Sequence, residues 1–312
     1  IETDGRHAKV SFTDDWKNDS MRRDFTINSI YLSPNGDIFD PNNGTLDLAK
    51  GSVIFIGDPK ERILEDYLRI LRYFRFNSYY GDENIPFSSQ AYEACKDLRV
   101  KLKNLSPERI QSEFFKILVA PNARKNISAM SEANILKVIF DNPVDLSYFS
   151  RMVDIDHKNQ YIPNPILRLI SLIYLQNISY DQLKMFSLSN KKRDLISLIV
   201  DKKINFSHQM NINELNKHLY FYGSEICAFG VRVCWSVDTD LRNDDNWLEL
   251  LSIIEVWKKP TFPIKAKDII SRGVEEGPLL GQILNELENL CISSNFIMDK
   301  DFLLNKVNEL IE

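Results

Sequence analysis

Residues 57–76 read GDPKERILEDYLRILRYFRF, and two periodicities are superposed in them. Leu64, Tyr67, Leu68, Leu71 and Phe74 recur at intervals of three and four, the spacing of one buried helical stripe. Arg62, Glu65, Asp66, Arg69, Arg72 and Arg75 recur at the same intervals. A helix starting after Gly57-Asp58-Pro59 therefore carries a charged surface beside an apolar one. The period returns far downstream at Leu279, Ile283, Leu284, Leu287 and Leu290. Turn signals fall between the helical stretches at Gly81-Asp82, Ser106-Pro107, Ala120-Pro121, Ile162 to Pro165, Ser187 to Asn190 and Pro260 to Pro263. Everything from Asp58 onward is predicted to be helical, with no fixed-period repeat.

Upstream of that stretch the period changes. Lys9 to Phe12 alternates like a short strand, and Thr13-Asp14-Asp15 is a good helix start ahead of Trp16 to Asp24. Thr26 to Leu32, the turn Ser33-Pro34-Asn35-Gly36-Asp37 and Ile38-Phe39 form a hairpin signature. A polar turn then leads through Leu46 and Leu48 to the strand-like Val53 to Ile56. Three short strands and one helix cannot enclose a core, so this N-terminal part is expected to need a partner sheet.

The chain has 312 residues, 44% hydrophobic and 27% charged, which excludes a disordered tail or a fibrous repeat. The greasiest run, Leu68 to Phe76, is interrupted by Arg69, Arg72 and Arg75, so no membrane span is expected. Cys95, Cys227, Cys234 and Cys291 show no paired spacing, which predicts a reducing, cytoplasmic setting without structural zinc. The net charge of −5 is uneven: residues 58–125 hold 13 basic and 10 acidic side chains. A nucleotide or nucleic-acid partner is expected to touch that basic block first, although a solvated helix face accounts for the same charges.

The chemistry lies in what an Asp and an Arg one turn apart can recognise. A carboxylate only accepts hydrogen bonds and a guanidinium only donates them, so Asp66 beside Arg69 presents one acceptor next to one donor. Cytosine and adenine each offer an amino donor beside a ring-nitrogen acceptor and fit; guanine and uracil would set a carbonyl against the carboxylate. Arg72 and Arg75, further along, suit phosphates. Arg22-Arg23-Asp24 with Asn28 would supply a second wall, with phosphate donors from the arginines and a ribose partner from Asp24 or Asn28. On spacing alone, acid–base pairs of this kind are equally ordinary surface dressing.

The stretches DSMRRDFTIN (19–28), FDPNNGTLDL (39–48), residues 57–76 and LSPERIQSEFFKIL (105–118), in that order and spacing, resemble the class II tRNA nucleotidyltransferase and bacterial poly(A) polymerase family. GPLLGQILNELE (277–288) is similar to the same family's C-terminal region. The resemblance implies a mostly α fold with a small α/β remnant of a nucleotidyltransferase head over 1–57. An elongated helical neck over 58–140 would recognise the base, and a body and tail over 141–312 would bind tRNA. The implied reaction is template-independent transfer of CMP and AMP from CTP and ATP to the tRNA 3′ end; poly(A) polymerisation by a member of the same family and a non-catalytic RNA-binding scaffold are the alternatives. Asp66 and Arg69 would pair with the base, supported by Glu65, and Arg72 and Arg75 would contact the nucleotide. Arg22, Arg23 and Asp24 would bind triphosphate and ribose. Asp40 and Gly44 would form a flexible link between head and neck, while Glu108, Arg109 and Glu113 would brace the neck helix.

The family also uses a D-x-D pair that holds two Mg²⁺ ions. Of the D-x-D strings here, Asp154-Ile155-Asp156 and Asp238-Thr239-Asp240, both in the helical part, are read as solvated rather than metal-binding. The catalytic carboxylates are therefore expected upstream or on a separate N-terminal chain, and this chain alone is expected to be inactive. His7, His157, His208 and His218 are read as surface or satisfied histidines, and Trp235, Trp257, Phe221, Tyr222 and Phe229 as core. Gly277-Pro278, opening a helix, is a candidate RNA-phosphate contact with Lys265, Lys267 and Arg272, beside its reading as a plain helix start.

Overall fold

The Asp15 carboxylate accepts from the backbone N–H of Lys17 and of Asn18, starting helix α1 (Trp16–Met21) as its N-cap. The computed structural model describes residues 15–311, leaving out 177 and 179. The expected strand Lys9–Phe12 and the first histidine, His7, lie outside the described residues. The predicted hairpin is present but short: β1 (Tyr31–Leu32) pairs antiparallel with β2 (Ile38–Phe39), Tyr31 opposite Phe39. Residues 26–28, expected in its first strand, form a 3₁₀ turn instead.

Two expectations for the N-terminal part are corrected. Gly44–Ala49 is a helix, α2, where a polar turn was expected. Val53 to Ile56 is no strand of a sheet; Phe55 makes one isolated antiparallel bridge to Phe25, with Thr26 N–H donating to the Ile54 carbonyl at 3.0 Å. The reason lies in where the aromatic rings go. Phe25 and Phe55 lie 4.7 Å apart, Phe25 reaches Phe76 at 4.9 Å and Phe55 stacks on Tyr73 at 5.6 Å. These rings are buried against the helix that carries Tyr73 and Phe76. Each such ring contributes about 1.5–3 kcal/mol on burial, so a helix closes this core where a sheet was expected. Leu32 and Ile38 on the hairpin stay exposed.

From Pro59 onward all regular structure in the described residues is helical. The first stretch is split, however, into α3 (Pro59–Glu65) and α4 (Arg69–Tyr80). At Asp66 the backbone is extended, φ −154° and ψ 108°, and the Asp66 carboxylate accepts from its neighbour Leu68 N–H at 3.1 Å. An Asp side chain bonding its own chain two residues on competes with the helix, which accounts for the break. The expectation of one continuous helix holding Asp66 and Arg69 a turn apart is therefore wrong.

The chain divides into two units, 1–196 and 197–312. The expected boundaries at 57/58 and 140/141 fall inside the first unit, because α4 closes the N-terminal core and Phe140 packs on Phe114 and Phe186. That unit continues through α5 (Ser89–Leu98), α6 (Pro107–Val119), α7 (Ala123–Glu132), α8 (Ile135–Phe140), α9 (Ser147–Lys158) and α10 (Pro165–Ile173), and the division at 196/197 falls within α11 (Asn190–Val200). α6 packs on α4, α7 and α10. A buried ion pair ties the layers: Arg168 Nε donates to Asp156 at 2.9 Å and its Nη1 to the Leu118 carbonyl at 2.5 Å.

The second unit contains α12 (Ile212–Val237), α13 (Asp244–Val256), α14 (Ala266–Ile270), α15 (Pro278–Ser293) and α16 (Lys300–Ile311). α12 is broken at Gly223, φ 80° and ψ 165°, a conformation open to glycine. The break also corrects an expectation: Trp235 is fully buried and donates to Asp244, but Phe221 is 51% exposed and Trp257, Tyr222 and Phe229 only half-buried. A helical stripe read across Gly223 changes phase there. Ile269, Ile283, Leu287, Cys291, Leu303 and Val307 close a separate small core among α14 to α16.

Candidate nucleotide site

The end of α1 and the α3–α4 break are held together by one guanidinium. Arg62, 13% exposed, donates through Nη1 to both Glu65 oxygens at 2.8 and 2.7 Å. Its Nη2 donates to the carbonyls of Arg22 and Arg23 at 2.8 and 2.5 Å. Carbonyls at a helix end have no intrahelical partner, and a cationic side chain is a common way of satisfying them. Arg69 reaches the same place: Nη1 donates to Glu65 at 2.5 Å and to the Arg62 carbonyl at 2.8 Å. The arginines of 22–23 and the charged stripe of 62–69, forty residues apart in sequence, thus form one network. Arg62 stood in the charged array but was assigned no role from sequence, because its carbonyl partners are long-range.

Arg22 and Arg23 both lean on Asp19, at 2.6 Å for Arg22 and 3.1 Å for the Arg23 Nη2, and Tyr31 O–H donates to Asp19 at 2.8 Å. The Tyr31 hydrogen bond, with the two arginines, holds the Asp19 carboxyl below its ordinary range. Asp19 and Tyr31 were not singled out from sequence. The offsets of three and four from Asp19 to Arg22 and Arg23 were the available signal.

Asp24 does not face solvent. It is 4% exposed; its carboxylate accepts from Arg72 Nε at 2.5 Å, Asn28 Nδ2 at 2.8 Å and the Phe25 N–H at 3.1 Å. Burial pushes the Asp24 pKa up, but the Arg72 hydrogen bond and charge outweigh it, so the carboxyl titrates below its usual range. Asp24 and Asn28 thereby anchor Arg72, whose two Nη groups make no hydrogen bond among the described residues and whose guanidinium lies 5.5 Å from the Phe76 ring. Arg75 sits 4.4 Å from the centroid of the same ring and 2.6 Å from the buried Glu113, as an ion pair rather than an aligned hydrogen bond.

Asp66 and Arg69 do not pair with each other. Asp66 is held by Arg109 on α6, whose Nη2 donates to Oδ1 at 3.0 Å and to Oδ2 at 2.8 Å. Oδ1 also takes the Leu68 N–H, so Oδ2 keeps a free acceptor position. The acceptor is therefore fixed from a second helix and the donor through Glu65, whose carboxyl, raised by burial but lowered further by Arg69 and Arg62, stays ionised.

The remaining candidates lie apart. Asp40 accepts from Gly44 N–H and Thr45 N–H, both at 2.8 Å, and caps α2. Gly44 is buried there: a Cβ on it would stand 2.2 Å from the Thr26 carbonyl oxygen. Glu108, in the first turn of α6, borders a separate cavity of about 400 Å³ with Lys184, Phe186 and Arg193. Its carboxyl is lowered by its own backbone N–H and by Ser187 and Ser106. Lys265, Lys267 and Arg272 belong to the second unit, where Arg272 donates to the Leu304 carbonyl at 2.7 Å.

The D-x-D strings at 154–156 and 238–240 carry structural pairs. Asp154 pairs with Arg124 and Asp156 with Arg168. Asp238 accepts from Trp247 and Asn243 at 2.9 Å, with His208 at 3.3 Å, and Asp240 pairs with Arg242. His157 is exposed, and His218 Nδ1 meets the Glu214 carbonyl at 2.8 Å. Glu65, Asp66 and Asp24 are each engaged by an arginine, and no trio of His, Cys, Asp and Glu suited to a metal occurs among the described residues. These side chains do not fit a Mg²⁺ pair. The four cysteines are free thiols, all buried, and no described helix is long and apolar enough to cross a membrane.

Against known proteins, residues 1–54 match the family described as "Poly A polymerase head domain" and residues 85–144 match "Probable RNA and SrmB- binding site of polymerase A". The mouse mitochondrial CCA tRNA nucleotidyltransferase 1 is 31% identical over 99% of this chain and 70% of its own length. A CCA-adding enzyme of Streptococcus agalactiae is 27% identical over 98% of this chain and 75% of its own. The crystal structure of the Bacillus stearothermophilus CCA-adding enzyme in complex with CTP superposes with a TM-score of 0.74 at 20% identity, covering 96% of this chain and 75% of that one. Sharing its sequence nearly end to end with one relative and its fold with another, the chain belongs to the CCA tRNA nucleotidyltransferase family.

Proposed function

We propose that the chain supplies the nucleotide-selecting and RNA-binding parts of a template-independent polymerase that adds CMP and AMP, from CTP and ATP, to the 3′ end of tRNA. One observation carries this reading: the base-edge candidates Asp66 and Arg69 are each held by a third residue rather than by each other, and sit in one network with Arg22-Arg23. The free position on Asp66 Oδ2 then accepts from the amino group of C or A, and Arg69 donates to the adjacent ring nitrogen. Discrimination against G and U follows from facing a carbonyl with a carboxylate. Arg22, Arg23, Arg72 and Arg75 are the phosphate donors, and Asp24 and Asn28 act by holding Arg72. Glu65, Arg109 and Glu113 support the readers from behind. Glu108 and Asp40, with Gly44, serve the starts of α6 and α2 away from the readers.

Residues 1–57 are read as part of a head, 58–140 as the base-recognising neck and 141–312 as the tRNA-binding body and tail, with Lys265, Lys267, Arg272 and the start of α15 at the RNA. Mg²⁺ is the metal expected for the bond-forming step, held by carboxylates outside the described residues, in the same polypeptide or on a separate chain. A cytoplasmic location is the reading for this chain; the mouse relative is named as mitochondrial. The head-domain match favours one second reading, poly(A) polymerisation. Extension of a tRNA primer ending at its discriminator base, by the polypeptide complete with its catalytic carboxylates, separates them: CCA followed by arrest is expected, and a long A tract would establish the alternative.

A further inference from the structure

We infer that Arg62 is the positioning residue that couples the phosphate wall of the nucleotide site to its base wall. This rests on the nucleotide reading above and adds a residue to it. Arg62 touches neither the proposed base nor the proposed phosphates. It spends one Nη on the carboxylate of Glu65, at 2.8 and 2.7 Å, and the other on the carbonyls of Arg22 and Arg23, at 2.8 and 2.5 Å.

Each end of that link leads to one wall. Glu65 takes the Arg69 Nη1 at 2.5 Å, so the orientation of the base-reading guanidinium depends on a carboxylate that Arg62 holds by both oxygens. The Arg22 and Arg23 carbonyls fix the backbone from which the two phosphate-reading side chains project. The geometry demands a planar fork with donors on separate nitrogens; an ammonium is a point charge and cannot serve a carboxylate and two carbonyls in those directions at once. The Arg62 side chain is 13% exposed and that of its partner Glu65 51%, so the link holds its direction through the fork geometry and not through burial.

A ligand that spans both walls gains from their being pre-aligned, whereas a ligand that uses one wall does not. Arg62 therefore governs the advantage of a nucleoside triphosphate over its bare phosphate chain. The test compares CTP with inorganic tripolyphosphate by titration calorimetry on the full chain, for the native protein and for R62Q and R62K. Losing the alignment should weaken CTP roughly tenfold in both variants while tripolyphosphate stays within about twofold of native, since only the two-wall ligand depends on the link. Thermal unfolding is followed in parallel; R62K keeps the charge beside Glu65, and if R62Q fails to fold, R62K decides the outcome. Native-like CTP binding in R62K, or equal loss of CTP and tripolyphosphate, overturns the coupling role. A native chain that binds CTP no better than UTP overturns the base-reading assignment itself and is a separate result.

Discussion

Replacing Asp24 by Asn keeps the shape of a buried side chain and removes its charge. The native carboxylate is 4% exposed and meets Arg72 Nε at 2.5 Å, while the Arg72 side chain is 26% exposed. Removing one partner of a fully buried pair costs about 3–5 kcal/mol; with Arg72 partly solvated, about 2–3 kcal/mol is expected at neutral pH. For a folding unit of this size that corresponds to a drop of roughly 4–12 °C in Tm. The pH dependence sharpens the expectation. The folded pKa of Asp24 is depressed, so its contribution is present above the unfolded value of about 3.9 and is lost as pH falls through the lower folded value. Urea unfolding of the native protein and D24N from pH 7 down to about pH 3 should therefore show two stabilities far apart at neutral pH and converging in acid. A difference that stays constant over that range would refute the assignment of the stabilisation to the ionised pair.

Three further outcomes follow from packing. Gly44→Ala places a Cβ against the Thr26 carbonyl and should cost at least about 1–3 kcal/mol in chemical unfolding. Arg75→Met leaves Glu113 buried with only Lys116, at 3.5 Å, as a counter-charge among the described residues and should cost about 2–4 kcal/mol, read as a lowered Tm that a second change, Glu113→Gln, partly restores. Gly223→Ala forces an L-residue into φ 80°, ψ 165° and should cost about 1–3 kcal/mol of the second unit's stability, measured by hydrogen exchange along α12 and α13.

How far the sequence reaches differs between elements. The amphipathic helices, the α1 cap at Asp15, the 31–39 hairpin and the burial of Trp235 were legible, because each is written in local period or turn chemistry. The split at Asp66 was not: a charged i, i+3 array suits a continuous helix, and only the Asx-type bond to Leu68 N–H and the grip of Arg109 reveal the extended residue. The missing strand at Val53 to Ile56 has a similar origin, since β-branched and aromatic residues also serve an irregular segment packed under a helix. Phe221 was misplaced because Gly223 resets the helical phase. In the site, the residue types were legible and their partners were not. Asp24 proved to hold Arg72 and not to reach outward, and Arg62 acts across forty residues through backbone carbonyls that carry no sequence signature.

The most direct measurement is calorimetric titration of the chain, native and with Asp66→Ala, against CTP, ATP, GTP and UTP. The native protein should bind CTP and ATP in preference to GTP and UTP, and D66A, still folded because Asp66 is only half-buried, should lose that preference while retaining phosphate-driven binding. Equal binding of all four nucleotides by the native chain, or an undiminished preference in D66A, would contradict the claim that this carboxylate reads the base.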